Sequence, residues 1–265
     1  MVRQGFPVPR ITEGFVDKII ECLGGRRPTF EERGCEKEPN ADYFLPGAVA
    51  ELKIFEEEPL EKAERQTRLA KHFSDRYSLP EEVRLNFESL SEEAKEDFRR
   101  LVGGPIQNAV KKAAAQIKAT KARLGLESHF GVLLAVNNGF CSLPHNEFDK
   151  MVTRFAKKDT SQIGFTLTTT VEHHRGSFDT YVFCKSDGVS VHGQCCNPYR
   201  DPWAKAVGDQ FMVRMGDMIV DQMELAARND EVLLPVSDIF FERDGIRFVR
   251  KAPHVPDSRF QDRDV

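Results

Sequence analysis

The run Gly131-Val132-Leu133-Leu134-Ala135-Val136-Asn137-Asn138 constrains the fold more than any other stretch of this 265-residue chain. It is continuously apolar rather than alternating, so neither face of the strand it forms can meet water. Such a strand belongs in the middle of a sheet covered on both sides. The segment before it, Pro105 to Leu126, is alanine-rich. Its Ile106, Val110, Ala113, Ile117 and Leu124 are spaced to bury one stripe of a helix that stops at Gly125. A second helical period runs from Asn146 to Ala156 through Phe148, Met151, Val152 and Phe155, and strands are expected at Ile163 to Thr170 and Asp179 to Lys185. This order implies an α/β sheet flanked by helices.

Upstream, Asn40-Ala41-Asp42-Tyr43-Phe44-Leu45-Pro46-Gly47-Ala48-Val49-Ala50-Glu51-Leu52-Lys53-Ile54-Phe55 reads as a hairpin: Tyr43 to Leu45, a Pro-Gly turn, and Val49 to Phe55. Alternation along the second strand sends Glu51 and Lys53 to one face and Leu52 and Ile54 to the other, and Asp42 can share the charged face. Two carboxylates around one cation-sized space suit a hard divalent ion that keeps waters for exchange. A lysine beside them can hold a phosphate or orient an attacking water, the parts of metal-assisted phosphodiester hydrolysis. A second Glu-x-Lys, Glu93-Ala94-Lys95, lies in a polar helical stretch with no partnering aspartate and reads as a solvated face.

Asp42 followed nine residues later by Glu51-Leu52-Lys53 resembles the PD-(D/E)xK nuclease superfamily, although its proline, Pro39, precedes the aspartate by three. The resemblance implies a restriction-endonuclease-like mixed central sheet flanked by helices. It covers residues 10–55 by motif and 105–186 by pattern. It also implies a metal site for Mg²⁺ or Mn²⁺ formed by Asp42, Glu51 and the Leu52 carbonyl, with Lys53 acting on the water or the transition state. A glutamate on the preceding helix often completes the site in this superfamily. Thr12 can cap such a helix, with Phe15, Val16, Ile19, Ile20 and Leu23 in register before Gly24-Gly25, so Glu13 is the candidate and Glu21, two turns on, its rival. A helix behind the sheet commonly lends a polar residue near the active site, and Gln116 fills that role here. Lys112, Gln116 and Thr120, at four-residue intervals, are expected to line the substrate.

With 40% hydrophobic and 30% charged residues the chain can bury one large core, and a single elaborated domain spanning 1–265 is expected. The net charge of −4 excludes a generally basic nucleic-acid coat, so a polyanion must meet a local patch. One lies on the Pro105 to Leu126 helix, where Lys111, Lys112, Lys118, Lys121 and Arg123 occur without an acid. The same lysines could equally form a solubilising face.

Residues 56–104 read as a helical insertion with entries at Ser78-Leu79-Pro80 and Ser89-Leu90-Ser91-Glu92. A C-terminal extension, 187–256, holds a long helix from Trp203 to Ala227. Its Met212, Met215, Met218 and Met223, beside Phe211, Ile219 and Gln222, suit a core or self-association face and hence a possible homodimer. A hairpin of Ile239 to Phe241 and Ile246 to Val249 turns at Asp244-Gly245, before a loose tail at 257–265.

Six cysteines (Cys22, Cys35, Cys141, Cys184, Cys195, Cys196) form no CxxC pair. No secretory pattern or membrane-length apolar stretch is present, so no membrane partner and a reducing cytoplasm are expected. His173, His174, His192, Cys195 and Cys196 are zinc ligands in type, but adjacent pairs seldom aim both members at one ion. Phosphate-loop, dinucleotide-binding and serine-hydrolase signatures are absent. Two functions remain: metal-dependent cleavage of nucleic acid, DNA first among the substrates, or a non-catalytic binding or assembly module on the same fold.

Overall fold

The structure is a computed structural model that describes residues 11–34, 39–76, 82–85, 87–175, 180–193, 196–227 and 239–250. Its first helix, α1 (Glu13–Cys22), starts as its sequence requires, the Thr12 hydroxyl accepting the Phe15 N–H at 3.3 Å. A single helical turn, α2 (Phe30–Arg33), follows, closed by a reciprocal cap between Thr29 and Glu32. Then comes the expected hairpin, β1 (Tyr43–Leu45) and β2 (Ala48–Phe55), and Gly47 between them takes the left-handed φ of +73° that its turn requires. The core continues through α3 (Ala63–Arg76), β3 (Glu82–Arg84), α4 (Glu92–Val102), α5 (Gly104–Leu124), β4 (Phe130–Asn137), α6 (His145–Asp159), β5 (Phe165–Arg175) and β6 (Thr180–Ser190). It ends in α7 (Arg200–Ala227), β7 (Ile239–Arg243) and β8 (Ile246–Arg250).

Five strands form a mixed sheet in the order β1-β2-β4-β5-β6. β4 sits at its centre between parallel neighbours β2 and β5, and its residues from Gly131 to Asn137 are all buried, as the apolar run demands. The two antiparallel pairs, β1 with β2 and β5 with β6, close the flanks. β5 and β6 extend beyond their expected ends because each pairs with the other along its whole length.

Alternation splits the side chains of this sheet between two cores. Ala48, Ala50, Leu52, Val132, Leu134, Val136 and Leu167 pack against α1 and the first half of α7, where Trp203, Val207 and Phe211 are buried. Val49, Leu133 and Ala135 face α5 and α6 through Ile106, Val110, Ala113, Phe148, Met151 and Val152. Trp203 fixes α7 to the sheet by more than area, since its indole N–H donates to Thr169 Oγ1 at 3.0 Å in a buried site. Trp203→Phe keeps an aromatic body and loses this bond, while Thr169 Oγ1 keeps its contact with Ser186 Oγ at 2.9 Å, so a loss of about 0.5–1.5 kcal/mol in urea unfolding is expected.

The insertion differs from an all-helical reading. Ser91 does cap α4, its hydroxyl accepting from Ala94 N at 3.3 Å, whereas the Ser78-Leu79-Pro80 signal lies outside the described residues. Between α3 and α4, however, β3 pairs in parallel with β8 of the C-terminal hairpin, giving a second sheet in the order β3-β8-β7. Three residues with one apolar position carry no periodicity, and their partner lies far along the chain, so no local signal announces this strand. Val83, Phe241 and Phe248 from that sheet join the α5 side of the main core, so insertion and C-terminal extension share one apolar layer. On α7, Met212 is exposed and Met215 packs on the core. The side chains of Met218, Ile219, Gln222 and Met223, like the 257–265 tail, lie outside what is described. No described helix is long and apolar enough to cross a membrane.

Candidate active site

The main sheet forks at Glu51. β1 pairs with β2 only as far as Tyr43 opposite Ala50, so beyond that point no strand among the described residues lies beside that edge of β2. Asp42, the residue before β1, takes the place of a ladder partner: its Oδ2 accepts the Leu52 N–H at 2.9 Å. The N–H and C=O of one residue in an extended strand point to the same side. The Leu52 carbonyl therefore faces the same opening as the Asp42 carboxylate.

Glu51 and Lys53 project from the α5 face, as alternation predicts. Glu51 is 1% exposed and Lys53 21%. The Lys53 ammonium donates to Glu51 Oε1 and to Gln116 Oε1, the second bond at 2.9 Å, while Gln116 Nε2 donates to the Asn40 carbonyl at 2.9 Å. Gln116 thus holds the lysine with one end of its amide and the Asp42 segment with the other. Glu51 Oε2 is buried with no hydrogen-bond donor against it, and only a proton on the Glu51 carboxyl lets it bond Asp42. Burial, and after it the negative charge of Asp42, push the Glu51 carboxyl up to about 8 against the opposing pull of Lys53. A cation between the two carboxylates would satisfy the orphaned oxygen and remove the reason for that shift. The donor set, two carboxylates and a carbonyl oxygen, matches Mg²⁺ or Mn²⁺, which complete their shell with water. Among the described residues no three His, Cys, Asp or Glu side chains converge on one point, so the protein would supply two side chains and one carbonyl.

Other expected site residues fall differently. Thr120 is buried, and its hydroxyl accepts the Ala41 N–H at 2.8 Å, so it positions the Asp42 segment and is not open to substrate. Lys112 is exposed at the solvent side of the same helix face. Glu13 is displaced from the site: α1 packs on the Leu52 face, opposite Glu51, and Glu13 Oε2 accepts from Arg27 Nη2 at 3.2 Å. Arg27 also bonds Asp17 Oδ1 at 2.6 Å, and Tyr43 Oη donates to the same carboxylate at 2.9 Å. This cluster ties α1 to β1 and engages Glu13 with Arg27. Glu21 is exposed on the same helix.

Sequence reasoning passed over Asn40 and Arg123. Arg123 Nη2 donates to Asn40 Oδ1 and, at 2.8 Å, to the Glu32 carbonyl, binding α5, α2 and the Asp42 segment together. The lack of acids on α5 flagged Arg123 only as part of a basic face. Of the zinc-type residues, His173 and His174 lie within β5, opposite Val182 and Tyr181. His192 Nε2 bonds the Thr160 carbonyl at 2.7 Å, and Cys195 lies outside the described residues. Cys22, Cys141 and Cys184 form no disulfide among the described residues. Set against protein-family models, characterised proteins and solved structures, the chain gives no match, so the reading of this site rests on its own residues.

Proposed function

We propose that this chain is a divalent-metal-dependent phosphodiesterase of the PD-(D/E)xK type that cuts nucleic acid, with DNA as the expected substrate. The observation that carries the reading is the convergence, at a fork in the sheet, of Asp42, the orphaned oxygen of Glu51 and a lysine held in place by Gln116. A surface ion pair needs no such arrangement: burying Glu51 beside Asp42 costs stability that a cation between the two carboxylates would offset. The order of hairpin, helix, parallel central strand, helix and strand also agrees with a restriction-endonuclease-like core.

Asp42, Glu51 and the Leu52 carbonyl would hold Mg²⁺ or Mn²⁺. The bound ion would supply Lewis-acid stabilisation of phosphate charge and a water of lowered pKa. Asp42 orients the site by its bond to the Leu52 N–H, which fixes the strand edge and with it the carbonyl. Lys53, aimed by Gln116, presents its ammonium beside the carboxylates, where it can hold the attacking water or a non-bridging phosphate oxygen. Lys112, exposed one turn before Gln116, can contact the phosphate backbone without reading bases.

The test is cleavage of plasmid, linear and single-stranded DNA and of RNA with Mg²⁺, Mn²⁺ or EDTA, alongside Mn²⁺ calorimetry. Asp42→Ala removes a ligand and the Leu52 anchor together, so loss of both Mn²⁺ binding and cleavage is expected. Full metal-dependent activity in that variant would sink the assignment. Exposed Met212 and Val213 on α7 favour a second reading, a self-associating module with an idle site. It predicts no cleavage and no Mn²⁺ heat, but a melting temperature that rises with protein concentration.

A further inference from the structure

Asp42 lies just outside β1, so the sheet ladder does not fix its carboxylate. The segment before it is held by α5 instead. Over two turns that helix grips both residues preceding Asp42: Gln116 Nε2 donates to the Asn40 carbonyl at 2.9 Å, and Thr120 Oγ1 accepts the Ala41 N–H at 2.8 Å. One turn further on, Arg123 Nη2 donates to the Asn40 side chain at Oδ1 and, at 2.8 Å, to the Glu32 carbonyl. The residues after Asp42 are held from the other side. Arg26 and Phe44 exchange both backbone hydrogen bonds, at 2.9 and 2.8 Å, and the Arg26 guanidinium takes the Glu32 carboxylate with two bonds of 2.6 and 2.7 Å. Glu32 thus joins the two grips, its carboxylate to Arg26 and its carbonyl to Arg123.

We propose that Arg123 is a positioning residue for the metal site: by holding the Asn40 side chain it sets where Asp42 meets the open edge of β2, and with it the affinity for the divalent ion. The identity of the ion and the reaction rests on the phosphodiesterase reading. Two neutral oxygens, 83 and 91 positions away in the chain, meet one guanidinium nitrogen, a convergence that only the closed fold provides. The planar guanidinium presents its donors in a fixed geometry, so it can hold two segments together where a flexible lysine ammonium would hold one. From Asn40 to Asp42 there are two planar peptide units, about 7 Å of chain, which leave few torsions between the grip and the ligand. Gln116 and Thr120 hold backbone atoms, whereas Arg123 holds a side chain. Its share can therefore be removed from either end without altering the peptide path.

The test is Mn²⁺ calorimetry and steady-state DNA cleavage by the full chain, with urea unfolding of each variant in EDTA. Arg123→Met keeps an aliphatic stem and removes the donors, and Asn40→Ala removes the acceptor. Each is expected to weaken Mn²⁺ binding about tenfold, the low end for losing a group that orients a ligand, and to lower kcat while the KM for DNA stays at the wild-type value. The double variant should bind Mn²⁺ no more weakly than the weaker single, since both changes remove one bond. Asn40→Asp keeps an acceptor oxygen for Arg123 and should restore wild-type Mn²⁺ binding. Ser91→Ala, which uncaps α4, is the stability control: it should lower the urea midpoint and leave Mn²⁺ affinity unchanged. Wild-type Mn²⁺ affinity in both Arg123→Met and Asn40→Ala would overturn the proposal and leave the phosphodiesterase reading standing. A raised KM at unchanged Mn²⁺ affinity would make Arg123 a substrate contact, and additive losses in the double variant would separate it from Asn40; each overturns the proposal. A wild type that binds Mn²⁺ but cuts no nucleic acid removes the phosphodiesterase reading alone, and weakened Mn²⁺ binding in the variants then supports positioning at an idle metal site. A wild type that binds no Mn²⁺ removes both.

Discussion

Lys53→Ala is expected to lower metal-dependent cleavage by at least about 10²–10³-fold, the range for removing one preorganised donor from a site where charge develops. Lys53 reaches two partners at once, and only one of them, Gln116, is a neutral positioning group. The other is the buried Glu51 carboxylate, whose remaining oxygen already lacks a donor. Removing the ammonium takes away the one influence that holds the Glu51 carboxyl down, so its proton is kept to higher pH still. Mn²⁺ binding should therefore survive in Lys53→Ala but need a more alkaline solution, because the ion must displace that proton. Paired measurements of cleavage and of Mn²⁺ calorimetry across pH 6–9 separate the two effects. A variant with the wild-type cleavage rate would remove Lys53 from the chemistry. One with lost cleavage and an unmoved pH profile for Mn²⁺ would break the link between Lys53 and Glu51.

Glu51→Gln carries the opposite expectation for stability. The Glu51 carboxyl rises from 4.5 in the unfolded chain to about 8 in the folded one. Below the unfolded value both states hold the proton and the group contributes nothing. Between the two values the unfolded chain has released a proton that the folded chain retains, so stability falls as pH rises through that window and levels off above it. Glutamine cannot titrate and still offers Lys53 an acceptor oxygen. The variant should thus gain on the order of 3 kcal/mol over wild type near pH 8 in metal-free urea unfolding, with the gain fading toward pH 4. It should also lose Mn²⁺ binding and cleavage, having traded an anionic ligand for a neutral one. Greater stability with lost metal binding is the signature of a site kept at the expense of the fold. A variant less stable than wild type at pH 8 would mean that the buried carboxylate belongs to the architecture.

Much of the fold could be read from short stretches, because the physics there is local. The apolar run of β4, the Thr12 cap of α1, the stop of α5 at Gly125, the Pro-Gly turn at Gly47 and the strict alternation at Glu51 and Lys53 each depend on residues within a few positions of one another. The same periodicity set Gln116 four residues after Lys112 and turned it toward the sheet. Glu13 shows where this stops. Its helix, cap and spacing were all legible, yet the face of the sheet that α1 covers is decided by which side buries Phe15, Val16 and Ile19 against Leu52 and Trp203. That packing put Glu13 beside Arg27, away from Asp42.

Sequence by itself thus determined α1, α5, α6, the β1–β2 hairpin and β4, the central place of β4 and the set of charged residues that can share one face at Asp42, Glu51 and Lys53. Tertiary structure alone decided the pairing of β3 with β8, the fork that opens the Leu52 edge, the use of Thr120 to hold Ala41, and the Arg123 link between α2 and Asn40. The physical reason is separation along the chain. Hydrophobic period and capping act within a turn or two, whereas these contacts join residues tens to more than a hundred positions apart. Their partners are selected only when the two cores close around the sheet.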